Sequence, residues 1–175
     1  MSKIKPAPKG AVIWGLITNN QELCEKFATI IQKDFGAIVL KSNLISFDSY
    51  TDYYRKEMGS DLKRQWLMTE NLVSLEKMVD TKLLAIQIEK EYVTNEARNI
   101  NIDPGFLTLA NFILLTTKNY SHRIYLRNGI YGEITLIFSQ NTYHALPWTY
   151  PDYQDNIYFF NKAREVLKTL INKQE

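Results

Sequence analysis

Residues 122–138 read HRIYLRNGIYGEITLIF. Two runs rich in β-branched and aromatic residues flank Asn128-Gly129, the pair favoured by two-residue type I′ turns because both central residues take positive φ. The stretch therefore predicts a β-hairpin. With a two-residue turn, Arg127 pairs with Ile130, Leu126 faces Tyr131, Ile124 faces Glu133 and His122 faces Thr135. Alternation puts His122, Ile124, Leu126, Tyr131, Glu133 and Thr135 on one face. Arg123, Tyr125, Arg127, Ile130, Gly132 and Ile134 take the other. His122 and Glu133 become diagonal neighbours within reach of each other. A carboxylate beside an imidazole fixes its tautomer, as a general acid or base requires, although the same pair can also simply decorate a sheet.

Upstream, GAVIWGLIT at 10–18 is a continuous apolar run, the pattern of a buried central strand. Asn19 with Glu22 reads as a capping box, and Leu23, Phe27, Ile30 and Ile31 recur at helical spacing as far as Gly36. A second strand follows from about Ala37. The stretch SFDSYTDYYRKEMGS reads as a loop with a short helix, capped by Thr51 or Asp48, and Leu62 to Met68 as a third strand. Ser74 should cap a long helix running to about Arg98, its wide apolar face formed by Leu75, Val79, Leu83 and Ile86 with Leu84, Ile88 and Tyr92 beside them. NINIDPGFLT at 99–108 reads as an extended segment closed by an Asp-Pro-Gly turn. Leu109 to Thr117 is ambiguous between a buried strand and a short helix, with the spacing favouring the helix.

Downstream, ALPWTYPDY is irregular, and Tyr150-Pro151 is a candidate cis bond. The aromatic loop suits either a binding wall or a plug for the end of a sheet. Phe159, Ala163, Val166 and Leu170 trace a C-terminal helix. The order is β-α-β-β-α-β, a short helix, a hairpin and a last helix. This predicts an α+β fold with a ferredoxin-like core, extended by the hairpin and the C-terminal helix. No linker divides residues 1–175, so one domain is expected, with residues 1–8 as a loose tail.

Composition fits that picture. The chain has 175 residues, 45% of them hydrophobic, with 11 tyrosines. The net charge of +2, from 21 basic and 19 acidic residues, gives RNA or DNA binding only weak support. Trp66 could stack on a base, but its place in an apolar strand favours the core. Cys24, the single cysteine, lies on an apolar stripe and forms no disulfide or thiolate cluster. No apolar stretch has the length of a signal peptide or a membrane span, which predicts a cytoplasmic protein with no membrane partner. His122 and His144 lie in no metal-binding spacing, so no metal site is predicted from them; a magnesium site of Asp and Glu, which needs few protein ligands, stays open as an alternative. Glycine-rich phosphate loops and the GxSxG elbow are missing as well, and no cofactor is named by any motif.

Five segments carry a resemblance: TDYYRKEMG at 51–59, NIDPGFLTL at 101–109, TKNYSHRIYL at 117–126, NGIYGEITLIF at 128–138 and PWTYPDY at 147–153. In these the chain resembles a bacterial family known as domain of unknown function 4416. The resemblance implies no activity. It does emphasise Tyr53, Glu57, Asp103, Lys118, His122, Arg123, Tyr125, Tyr131, Glu133, Trp148 and Asp152, polar or aromatic residues in loops and on the hairpin. The expectation is a ligand-binding protein or enzyme for a small anionic, phosphorylated or nucleotide-like compound. Lys118 and Arg123 would hold the anion, with Tyr131, Tyr53 and Trp148 as further ligand contacts. His122 and Glu133 would act as acid and base, with Asp103 orienting one of them. The alternative is a non-catalytic module that binds RNA or protein through its tyrosines, or pairs as a homodimer.

Overall fold

A computed structural model describes residues 3–94 and 97–173. In chain order the elements are β1 Lys9–Thr18, α1 Gln21–Phe35, β2 Ile38–Lys41, β3 Ile45–Ser46, α2 Arg55–Met58, β4 Lys63–Ser74, α3 Met78–Glu91, β5 Val93–Thr94 and β6 Ala97–Arg98. Then come β7 Asn101–Leu107, β8 Asn111–Thr116, β9 Ile124–Arg127, β10 Ile130–Ser139, β11 Thr142–Ala145, α4 Pro151–Gln154 and α5 Ile157–Asn172. The class is α+β. Nine strands form one antiparallel sheet along the path β11-β10-β8-β7-β1-β4-β2, with β3 added to β4 and β9 to β10. That sheet is larger than the four-strand core expected from the sequence.

The apolar run of β1 explains its central place, because every residue from Gly10 to Thr18 is buried and both faces of the strand are covered. Val12, Trp14 and Leu16 pack under α1 and α3 with Phe27, Ile31 and Ile88. Ala11 and Ile13 face the other way, into a cluster built from Trp66, Phe112, Tyr153 and α5. A third cluster joins Ile17, Phe47, Met58 and Leu62 beneath the loop before α2. Cys24 is buried on α1, and burial pushes its thiol up to about 11, which fits packing rather than reactivity.

Several expectations are corrected. The first helix is capped by Asn20, whose side chain accepts from the Glu22 N–H, while Asn19 donates to Met58 and Ser60 carbonyls. Asp48 caps no helix but accepts from the Asp61 and Leu62 amides. Leu109 to Thr117 holds the strand β8, because Ile113 and Leu114 pair with both neighbouring strands. The long helix stops at Glu91, followed by the small β5–β6 ladder; part of the span expected to be helical, residues 95–96, lies outside the described residues. Its buried face is also rotated, with Val79, Lys82, Ala85, Ile88 and Glu89 inside and Leu83 outside. The described peptide bonds, Tyr150-Pro151 among them, are all trans.

Asp103-Pro104-Gly105 makes no turn; it lies within β7. Pro104 sits opposite Trp14 in the β1 ladder yet brings no N–H to a sheet. On the other side, β7 pairs with β8 only from Leu107 back to Gly105. Beyond Gly105 the two strands carry no ladder, and a cavity lies there.

The hairpin turn forms as expected, with positive φ at Asn128 (53°) and Gly129 (75°). Past the Arg127–Ile130 pair, however, a bulge at Leu126 shifts the register, so that Tyr131 faces Tyr125 and Gly132 faces Ile124. This slip carries Arg123 to the side of Glu133, a placement that the regular alternation excluded.

Candidate functional site

The cavity beyond the β7–β8 ladder has a volume of about 570 Å³, inside the range of roughly 300–1,000 Å³ usual for small-molecule sites. Its walls come from the loop before α2, the start of β4, one face of α3, β7, the end of β8 and the residues around α4. Five basic side chains line it (Arg64, Lys82, Arg98, Lys118 and Arg123) against three carboxylates, Glu89, Asp103 and Asp152.

Its floor is a buried ion network. Arg64 projects from β4 toward Asp152, with Nε 2.8 Å from Oδ2, while its Nη1 stands 3.8 Å from Asp103 Oδ2. The guanidinium lies among the rings of Phe47, Trp66 and Tyr153 at 5.1–5.5 Å. Gly15 makes room for it, since a Cβ there would meet Arg64 Nη1 at 2.8 Å and the Tyr153 hydroxyl at 3.2 Å. Lys82 reaches up from α3 to the Ile102 carbonyl (2.9 Å) and to Asp103 Oδ1 (3.3 Å). Asn101 donates to Asp103 Oδ2 and accepts from Arg98, which also grips Glu57 with two hydrogen bonds of 2.7 and 2.8 Å. Glu89 accepts from the Ile102 N–H and lies 3.5 Å from Arg98.

Two carboxyls of this network are driven apart. Burial acts to raise the Asp103 carboxyl, but Lys82, Arg64 and the Asn101 hydrogen bond together outweigh it and hold it below its ordinary range. At Glu89 burial prevails over Lys82, the Ile102 N–H and Arg98, and the carboxyl is raised. Burial, followed by Asp103, likewise raises the Tyr54 hydroxyl.

At the other end, Lys118 Nζ donates to the Tyr53 hydroxyl (3.1 Å) and sits over the Tyr53 ring at 4.3 Å. Among the described residues no carboxylate lies within 4.0 Å of it. Arg123 donates from Nε to Glu133 Oε2 (2.8 Å), from Nη1 to the Lys118 carbonyl and from Nη2 to the Tyr150 hydroxyl. Glu133 is buried, accepts the Thr135 hydroxyl on Oε1, and pairs through Oε2 with His122 Nε2 at 2.9 Å. His122 stacks on Trp148, whose indole N–H donates to the Ile134 carbonyl.

Asp103, Lys118, Arg123 and Tyr53 therefore share the cavity. His122 and Glu133 do meet, but they stand behind Arg123 rather than on the wall. Asp103 orients neither of them, because its partners are Lys82, Arg64 and Asn101. Trp148 braces His122, and Tyr131 packs edge-on against Tyr125 away from the cavity. His144 pairs with the Ser139 carbonyl. Trp66 is fully buried and has no face free for a base. Sequence reasoning missed Lys82, Glu89, Arg98 and Asn101. Lys82 and Glu89 were findable, since with Val79 and Ala85 they follow the 3–4 spacing of a buried stripe, where a charge needs a partner.

Among the described residues, no group of three or more His, Cys, Asp and Glu is placed to hold a metal, and no helix is long and apolar enough to cross a membrane. No curated protein and no solved structure matches the chain. The family model described as Domain of unknown function (DUF4416) matches residues 8–166, and the chain belongs to that family.

Proposed function

We propose that the protein binds, or acts on, a small anionic compound, phosphorylated or nucleotide-like, in the cavity between β7 and β8. The observation that carries this reading is Lys118. It is an exposed cation on the cavity wall, held by a tyrosine hydroxyl and ring, with no carboxylate within 4.0 Å among the described residues. Each carboxylate on the wall has a basic neighbour within 4.0 Å: Asp103 has Lys82 and Arg64, Asp152 has Arg64, and Glu89 has Arg98. An arriving anion thus meets a cation that is still available, with the Arg123 guanidinium beside it. The expected His122–Glu133 pair serves this arrangement by positioning Arg123.

The finer description of the core as ferredoxin-like is part of the same proposal. Its support is the order β7-β1-β4-β2, in which each helical crossover skips one antiparallel strand. We also take the protein as bacterial and cytoplasmic, with the unpaired Cys24 in keeping with a reducing compartment. A second reading, an interaction module, is favoured by the exposed Ile124 and Tyr125 on β9.

A thermal-shift panel of nucleotides, sugar phosphates and inorganic phosphate tests the first reading. A ligand at about 100 times its Kd adds about 2.7 kcal/mol of stability. For a chain of this size that is a rise in Tm of roughly 5–11 °C. A flat response across the panel would remove the reading and leave the interaction module.

A further inference from the structure

Building on the anion site proposed above, we infer that the ligand is a nucleoside phosphate, with its phosphate at Lys118 and the N–H edge of its base against Asp103. The inference starts from which polar groups of the cavity are already occupied. Glu89 holds the Ile102 N–H and faces Arg98, Asp152 holds Arg64, and Asn101 bridges Arg98 and Asp103. A ligand covered in hydroxyls would find few free partners among them. Two groups differ. Lys118 lacks a carboxylate within 4.0 Å among the described residues. Asp103 leaves 23% of its side chain exposed, against 9% for Glu89 and 3% for Asp152. Its Oδ1 has a single contact, the 3.3 Å one to Lys82, which leaves acceptor capacity for a donor from the ligand.

Four tyrosines, Tyr50, Tyr53, Tyr54 and Tyr150, also stand on the wall, beside threonines and aliphatic side chains. A flat heterocycle with apolar faces, a donor edge and an anionic tail answers all three features. Its faces meet tyrosines, its amino or imino N–H meets a carboxylate, and its phosphate meets a lysine. Sugar phosphates offer the tail alone.

The test is calorimetric titration of the wild-type chain with the ribonucleoside 5′-monophosphates, ribose 5-phosphate and inorganic phosphate. At least one nucleotide should bind about tenfold or more tighter than ribose 5-phosphate. Asp103→Asn should remove that advantage, with inorganic phosphate bound no more weakly than by the wild type, because a negative charge leaves the cavity. Ribose 5-phosphate binding as tightly as every nucleotide, or a nucleotide preference that survives Asp103→Asn, overturns the inference and keeps the anion site. No binding by any of these compounds overturns the anion site itself. The wild-type comparison stands alone should Asp103→Asn fail to fold.

Discussion

Replacing Arg64 with methionine keeps much of the side-chain volume and removes the charge from the cavity floor. Asp152, with 3% of its side chain exposed, then loses the guanidinium at 2.8 Å, its ion-pair partner. Breaking one side of a buried pair costs about 3–5 kcal/mol, because the charge left behind is neither paired nor hydrated. Asp103 loses only the 3.8 Å contact and keeps Lys82 and Asn101. The cation–π contacts with Phe47, Trp66 and Tyr153 also go, but each is worth only about 0.5–2 kcal/mol. Methionine returns about 0.3–1.5 kcal/mol per sulfur–aromatic contact. The Asp152 term therefore decides, and a loss of about 4 kcal/mol is expected from a total that for domains is about 5–15 kcal/mol. Asp152→Asn keeps an acceptor for Nε and should cost about 2 kcal/mol. In the double variant no charge is stranded, so its cost should fall about 2 kcal/mol short of the sum of the two. Urea unfolding followed through tryptophan fluorescence measures all three, since Trp14 and Trp66 are fully buried. Additivity within about 0.5 kcal/mol would refute the claim that Arg64 and Asp152 hold each other in place.

Three further outcomes are expected. Because the folded Asp103 carboxyl is lowered, its contribution to stability is present above the unfolded value of about 3.9 and is lost as pH falls through the folded one. Urea midpoints of Asp103→Asn should therefore fall less steeply than those of the wild type below about pH 4; parallel curves would contradict this. Gly105→Ala should cost about 1–3 kcal/mol in the same assay, since its Cβ would overlap the Phe112 ring, itself fully buried. Glu133→Gln, which takes the shared carboxylate from His122 and Arg123, should weaken phosphate binding about tenfold; unchanged binding would show that Arg123 is positioned without it.

Local signals told a good deal about the fold. Asn128-Gly129 marks its turn because few residues tolerate positive φ twice in succession, and the apolar run at 10–18 marks a strand covered on both faces. Other features depended on partners that local patterns do not carry. Asp103-Pro104-Gly105 has the composition of a turn, yet pairing with β1 keeps it extended, and Gly105 is there to let Phe112 pack across it. The bulge at Leu126 is invisible to alternation, and so was the arrival of Arg123 beside Glu133. Arg64 sits in a strand whose neighbours are buried, and only the approach of Asp152, 88 residues later, tells a buried ion pair from a solvated charge. Asp103 and Asp152 thus lay in the resemblance segments, while their basic partners Arg64 and Lys82 emerged only from long-range packing.

Binding of an anion through Lys118 is tested most directly by titrating inorganic phosphate into the wild-type chain and into Lys118→Met. Lys118 is exposed and, among the described residues, its side chain pairs only with Tyr53, so the variant should keep its fold and Tm. Loss of a charge-assisted contact of about 1.5–3 kcal/mol predicts binding weakened about tenfold or more, with the wild-type affinity itself falling as salt is added. Equal affinities in the two proteins would contradict the assignment of this cavity as an anion site.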